Sequence, residues 1–235
     1  MTHDGTYTLS LAEARARVLL RSGEWDHALA MLPAGATALR AQILADRFWW
    51  QLDDPAEAER AVAELDRGDP VLAAYYRGQL AYTRSLFGIS PRPGDAATAR
   101  RGFAAAAADD RLAGWGTFWL GVLADNLDGQ PATAADAYAS ALGWARRCDD
   151  RLLESYAIRH LGAQLLDDED LSGLALLRRS YHLRAALGAR PQTAAAARTL
   201  AEALPGGPES AELREIAAVT AHELELSWML TSLAG

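Results

Sequence analysis

The chain has 235 residues, half of them hydrophobic, and a formal net charge of −8. That balance lacks the basic footprint that binding to a phosphate backbone needs, so nucleic acid is not an expected partner. No run of about eighteen apolar residues occurs, and the start "MTHDGTYTLSLAEARARVLL" has no basic region followed by an apolar one, so the expectation is a cytoplasmic protein with no membrane partner.

The hydrophobic fraction is carried by Ala and Leu, strong helix formers, and stretches of alternating β-branched and polar residues are missing. The expected fold class is all-α. In chain order the helical pattern covers 9–22 and 25–33, 38–52 and 55–67, 70–87 and 95–108, 111–127 and 131–147, 151–166 and 171–187, then 191–204 and 208–233. Between these lie turns that read alike: "GEWDHALAML", "DDPAEAERAV", "GDAATARRGF", "GQPATAADAY" and "EDLSGLALLR". Each begins on Gly or an acidic residue and restarts a helix at Ala28, Ala58, Ala99, Ala134 or Leu174, spaced by 30 to 41 residues. The loop "GISPRPGD" is stiffened by two prolines and reads as a surface insertion or a functional protrusion. The last helix, with Leu213, Ile216, Leu224 and Trp228, is expected to cap the stack.

Several of these fragments resemble the tetratricopeptide repeat, with its pattern W-x₂-L-G-x₂-Y, then A-x₃-F, then P. "FWLG" at Phe118 to Gly121 and "RHLG" at Arg159 to Gly162 resemble its Leu-Gly pair. Ala99 with Phe103 and Ala134 with Tyr138 resemble its small-then-aromatic pair, and Pro70 falls where a closing proline would. The resemblance spans residues 9 to 205, although no unit carries the whole pattern. It implies a right-handed α-solenoid of about six antiparallel helix pairs in one domain over 1–235, with repeats near 9–34, 38–68, 70–109, 111–147, 150–188 and 190–233. It also implies that Gly121 and Gly162 sit at close helix contacts.

In such stacks the first helix of each pair lines the concave side. Applied here, that register gives a stripe containing Arg47, Trp50, Tyr75, Gln79, Tyr82, Trp115, Phe118, Tyr156, Arg159 and His160. Two readings stay open: a binding groove of aromatics with Arg between them, or interhelix core. Trp49, Trp119 and Trp144 are expected in the core.

No constellation of catalytic residues emerges, and neither a metal nor another cofactor is expected. His3, His27, His160, His182 and His222 form no i, i+4 pair, and Cys148 stands alone. "DDED", Asp167 to Asp170, lacks the spacing of a calcium loop and reads as helix capping. The leading expectation is a non-enzymatic adaptor that binds a protein segment or peptide in its groove. "LLRRSYHLRAALGARPQTAAAARTLAEAL" resembles the tetratricopeptide modules of bacterial regulators, which implies a regulatory role. The alternative is a sensor or enzyme that holds a small molecule in a pocket near Arg159, with Tyr156, His160 and Arg198 beside it and Trp115 and Phe118 as its wall. An open trough favours the first and a closed pocket the second, while a homodimer is left open.

Overall fold

The computed structural model describes residues 10–233, with side chains to residue 230. Its helices follow one another in hairpins: α1 (Leu11–Ser22) and α2 (Trp25–Ala30), α3 (Thr37–Gln51) and α4 (Ala56–Leu65), α5 (Pro70–Phe87) and α6 (Asp95–Ala107). The second half continues with α7 (Ala113–Asn126) and α8 (Pro131–Arg147), then α9 (Arg151–Asp167) and α10 (Gly173–Ala186). It ends with α11 (Arg190–Ala203), α12 (Pro208–Glu223) and α13 (Ser227–Leu233). Among the described residues there is no strand. No helix there is long and apolar enough to cross a membrane.

Local chemistry sets the starts of these helices. Ser10 and Glu13 close a capping box, each side chain accepting from the other's backbone N–H at 3.2 and 3.0 Å. Pro70, Pro131 and Pro208 open α5, α8 and α12, where a missing N–H costs no helical hydrogen bond. Asp69 and Asp150 accept from Leu72 N and Leu153 N at the heads of α5 and α9. The proline-rich loop after α5 is tied down from beneath. Buried Arg84 grips Asp95 through Nε at 3.0 Å and Nη2 at 2.5 Å, and Arg92 N donates to the same carboxylate.

The long helix expected over 208–233 is instead two helices. Glu225 adopts φ 54 between α12 and α13, and Leu226 N returns to Ala221 O at 2.9 Å. The break turns Leu226 and Met229 into the core, both fully buried. A straight continuation of α12 would leave that burial unrealised.

Successive helices pack on their neighbours in sequence, giving an all-α, solenoid-like stack. Small residues set the spacing. A Cβ on Gly162 would lie 2.9 Å from Leu176 Cβ and 3.0 Å from Gly173 O, and one on Gly121 would lie 3.0 Å from Tyr138. One core runs through the middle of the stack and contains Phe48, Tyr82, Phe103, Phe118 and Tyr138. A second joins the two ends, with Ala16, Leu20 and Trp25 in the same cluster as Leu200, Leu213 and Met229.

The stack therefore curls until its first helices meet its last: α1 packs on α11 and α3 on α13. Gln51 Nε2 donates to Leu224 O at 3.2 Å, and Arg190 bridges Glu24 and Glu223 across the seam. Leu224 lies directly over Gly23, where a Cβ would come within 2.7 Å of its Cδ1. Each end covers the apolar face that the other would expose to water.

Candidate functional site: two cavities inside the closed stack

Closure leaves two half-open cavities along the inner face, lined chiefly by α3, α5, α7, α9 and α11. Trp49, Trp119 and Tyr156 border both cavities and so stand between them. The two indoles meet edge to face with centroids 5.7 Å apart, and Trp119 Nε1 donates to Tyr75 Oη at 3.0 Å. Both tryptophans were expected to be interhelix core; they pack as core and also form this partition. Trp144 packs against the core as expected.

One cavity, of about 410 Å³, gathers Arg159, Arg184 and Arg198. Arg159 comes from α9 and reaches toward Thr199 Oγ1, 3.5 Å from Nη2, and His160 Nδ1, 3.4 Å from Nη1. Arg184 comes from α10 and is 3% exposed. It donates through Nε to Ser155 Oγ at 3.2 Å and through Nη1 to Gln192 O at 3.0 Å, with its guanidinium 4.4 Å over the Tyr156 ring. Among the described residues no carboxylate forms an ion pair with Arg159 or Arg184, whereas Arg198 pairs with Glu202 at 2.7 Å.

Desolvation dominates the electrostatics of this cavity. Burial pushes the Arg184 guanidinium down to about 10, with Tyr156 working against the shift and neighbouring Arg159 adding to it. Arg159 is lowered in the same way, its loss only partly offset by Tyr138, Asp125 and Glu202. Burial and then the two arginines hold His160 well below its usual value, so its ring is neutral and Nδ1 accepts from Arg159. The ring stacks on Tyr138 at 4.5 Å, and Tyr138 Oη donates to Asp125 at 3.0 Å.

The other cavity, of about 360 Å³, has no basic residue in its lining. Asp46 of α3 accepts from Trp25 Nε1 at 2.8 Å, and Trp50 approaches the same carboxylate without closing a hydrogen bond. Asp150, already the cap of α9, accepts from Trp115 Nε1 at 2.9 Å. Gln79 Nε2 donates to Tyr75 Oη at 3.0 Å. Gln192 of α11 is 6% exposed, and its Oε1 has no hydrogen-bond partner.

The sequence-derived stripe is split between these spaces. Trp50, Tyr82, Phe118, Arg159 and His160 border the arginine cavity. Tyr75, Gln79 and Trp115 border the acidic one, and Tyr156 both. Groove and core were posed as alternatives, yet Trp50, Tyr82 and Phe118 are walls and core at once, each at most 2% exposed. Arg47 borders neither cavity. It is held at the outer rim by Asp26, Glu57 and Asp53 at 2.9, 3.1 and 3.4 Å.

Sequence reasoning missed Arg184, Asp46 and Gln192. Arg184 follows Leu177 and Ser180 on one face of α10, so a cation on a small, apolar stripe was a usable signal. Asp46 stands between Gln42 and Trp49 at helical spacing. His27, His182 and His222 are exposed on separate helices, and His3 lies outside the described residues. No group of His, Cys, Asp and Glu among the described residues could hold a metal ion. In "DDED", Asp170 Oδ1 accepts from Ser172 N at 2.9 Å, ahead of α10.

The fold and cavities define the chain's class as an all-α, solenoid-like helical stack whose ends meet, with two half-open cavities on its inner face. Comparison with protein-family models, with curated proteins and with solved structures gave no match.

Proposed function

We propose that this chain is a binding protein that encloses a small aromatic carboxylate in the arginine cavity. The observation that carries this reading is the pair Arg159 and Arg184, two desolvated guanidiniums that share a cavity with no carboxylate partner among the described residues. A buried charge without a partner is costly, and a bound anion would relieve both at once through charge-assisted hydrogen bonds. Trp50, Tyr82, Phe118 and Trp119 give the ligand's carbon skeleton flat apolar walls.

Closure supports a small ligand over an extended peptide. A peptide laid along the inner face would have to pass Trp49, Trp119 and Tyr156, which stand across its path. The helix-pair plan, with Leu161-Gly162 and Ala134-Tyr138 at packed positions, supports reading the units as tetratricopeptide-like. A ligand held between the two ends of the chain would favour the closed form over an open one, which suits a regulatory sensor.

The test is calorimetric titration of 2-naphthoate against neutral 2-naphthamide. The carboxylate should bind at least about tenfold more tightly, a difference of roughly 1.4 kcal/mol. Arg159→Ala should weaken 2-naphthoate by at least about tenfold while melting within a few degrees of the parent. Equal affinity for acid and amide would refute the reading.

A further inference from the structure

The acidic cavity has the opposite chemistry and is built as a site in its own right. We propose that it binds a primary ammonium group carried on an aromatic or similarly compact skeleton. Its lining offers hydrogen-bond acceptors with no competing cation: Asp46 and Asp150 are its charged residues, and Gln42, Gln79 and Gln192 are its amides. The decisive group is Gln192. Its side chain is more than nine-tenths buried and borders the cavity, and although its amide interacts with the Tyr156 hydroxyl, Oε1 receives no hydrogen bond. A buried carbonyl oxygen in that state calls for a donor from a guest.

Asp46 supplies the charge. The described residues place no basic group in an ion pair with it; Trp25 Nε1 donates to Oδ2, and Trp50 Nε1 lies near the carboxylate without closing a hydrogen bond, so the group keeps acceptor capacity for a guest. Burial pushes this carboxyl up to about 6, with the Trp25 and Trp50 indoles pulling it back, so it is an anion at neutral pH. Rings of Tyr75, Tyr76, Trp115 and Tyr156 enclose the space, and aromatic faces attract a desolvated cation. A primary ammonium suits the site because Gln192 and Asp46 both ask for N–H donors, of which it has three, a tertiary ammonium one and a quaternary ammonium none. An anion is repelled by both carboxylates, and a neutral alcohol leaves Asp46 without a counter-charge. Its charged groups, Asp46 and Asp150, are separate from the three arginines, while Arg184 lies behind its wall, stacked on Tyr156 and bonded to the Gln192 backbone carbonyl, so the two sites are distinguished by ligands of opposite charge.

The experiment titrates the full chain at pH 8 with 2-phenylethylammonium, using 2-phenylethanol and phenyltrimethylammonium as controls. The primary ammonium should bind with a submillimolar Kd, and each control at least about tenfold more weakly. Asp46→Asn should cost at least about tenfold and Gln192→Leu several-fold, with 2-naphthoate binding changed by less than about twofold in both. Absence of 2-phenylethylammonium binding to the folded parent overturns the proposal, as does equal affinity for the alcohol. So does unchanged affinity in either variant. If Asp46→Asn does not fold, Gln192→Leu and the alcohol control decide it.

Discussion

Asp46 shows how one side chain can mark a site by its effect on stability. Burial raises its carboxyl from 3.8 to about 6, while in the unfolded chain it titrates near 4. Between those values the folded state holds more protons than the unfolded one, so stability falls as pH rises through the window and levels off above it. Asp46→Asn removes the effect. Parent and variant compared by urea unfolding from pH 4 to 7 should show the parent's relative stability dropping by on the order of 2 kcal/mol, with no further change above about pH 6.5. A flat difference would mean an ordinary, well-solvated carboxylate. Saturating 2-phenylethylammonium should shrink the drop, because the guest favours the charged form. Asp46 did not stand out in the sequence, since an acid on a helix is solvent-facing far more often than buried and only assembled neighbours reveal the difference, whereas Arg184 was marked by the small and apolar residues that share its face of α10.

Helix boundaries were legible to within a few residues because proline, aspartate and glycine mark them locally, as Pro70, Asp69 and Gly88 do for α5. The break at Glu225 was not. A left-handed Glu carries no sequence signature, and what enforces it is the burial of Leu226 and Met229 against distant helices. Spacing between elements is set by residues with no side chain to intrude. A Cβ on Gly116 of α7 would lie 2.2 Å from Ala107 N of α6, against rigid backbone, whereas one on Gly143 of α8 would meet only the tip of Arg147 at 3.5 Å. Gly116→Ala should therefore destabilise by about 3 kcal/mol as α6 and α7 are forced apart. Gly143→Ala should stabilise by about 0.5–1 kcal/mol, because the helix gains propensity without a clash. Urea midpoints of the two variants check both signs. By the same argument Gly162→Leu should cost about 1–3 kcal/mol, its side chain meeting Leu176 and Gly173 O.

At the scale of the whole molecule, what the sequence did not disclose is closure, which decides between a trough and a pocket. Closure depends on curvature summed over every hairpin and on seam partners as far apart as Gly23 and Leu224, so no local pattern encodes it. The stripe on the inner helices was readable from its spacing of three and four residues, but its division by Trp49 and Trp119 depends on how α3 and α7 are brought together across Tyr82 of α5. Leu224 is the residue through which this dependence can be tested. It is 6% exposed, covers Gly23 and borders neither internal cavity. Leu224→Ala should lower stability by about 2–4 kcal/mol through the void it leaves in the seam. If ligand binding requires the closed stack, the same substitution should also weaken 2-naphthoate, though Leu224 makes no contact with the arginine cavity. Binding to the closed form alone then implies the reverse effect. Ligand at about a hundred times its Kd should return roughly 2.7 kcal/mol of stability to the variant. Melting curves and titrations on one preparation measure both quantities. A variant that melts early yet binds 2-naphthoate with the parent's affinity would show that the arginine cavity forms without the seam, and that the ligand does not sense closure.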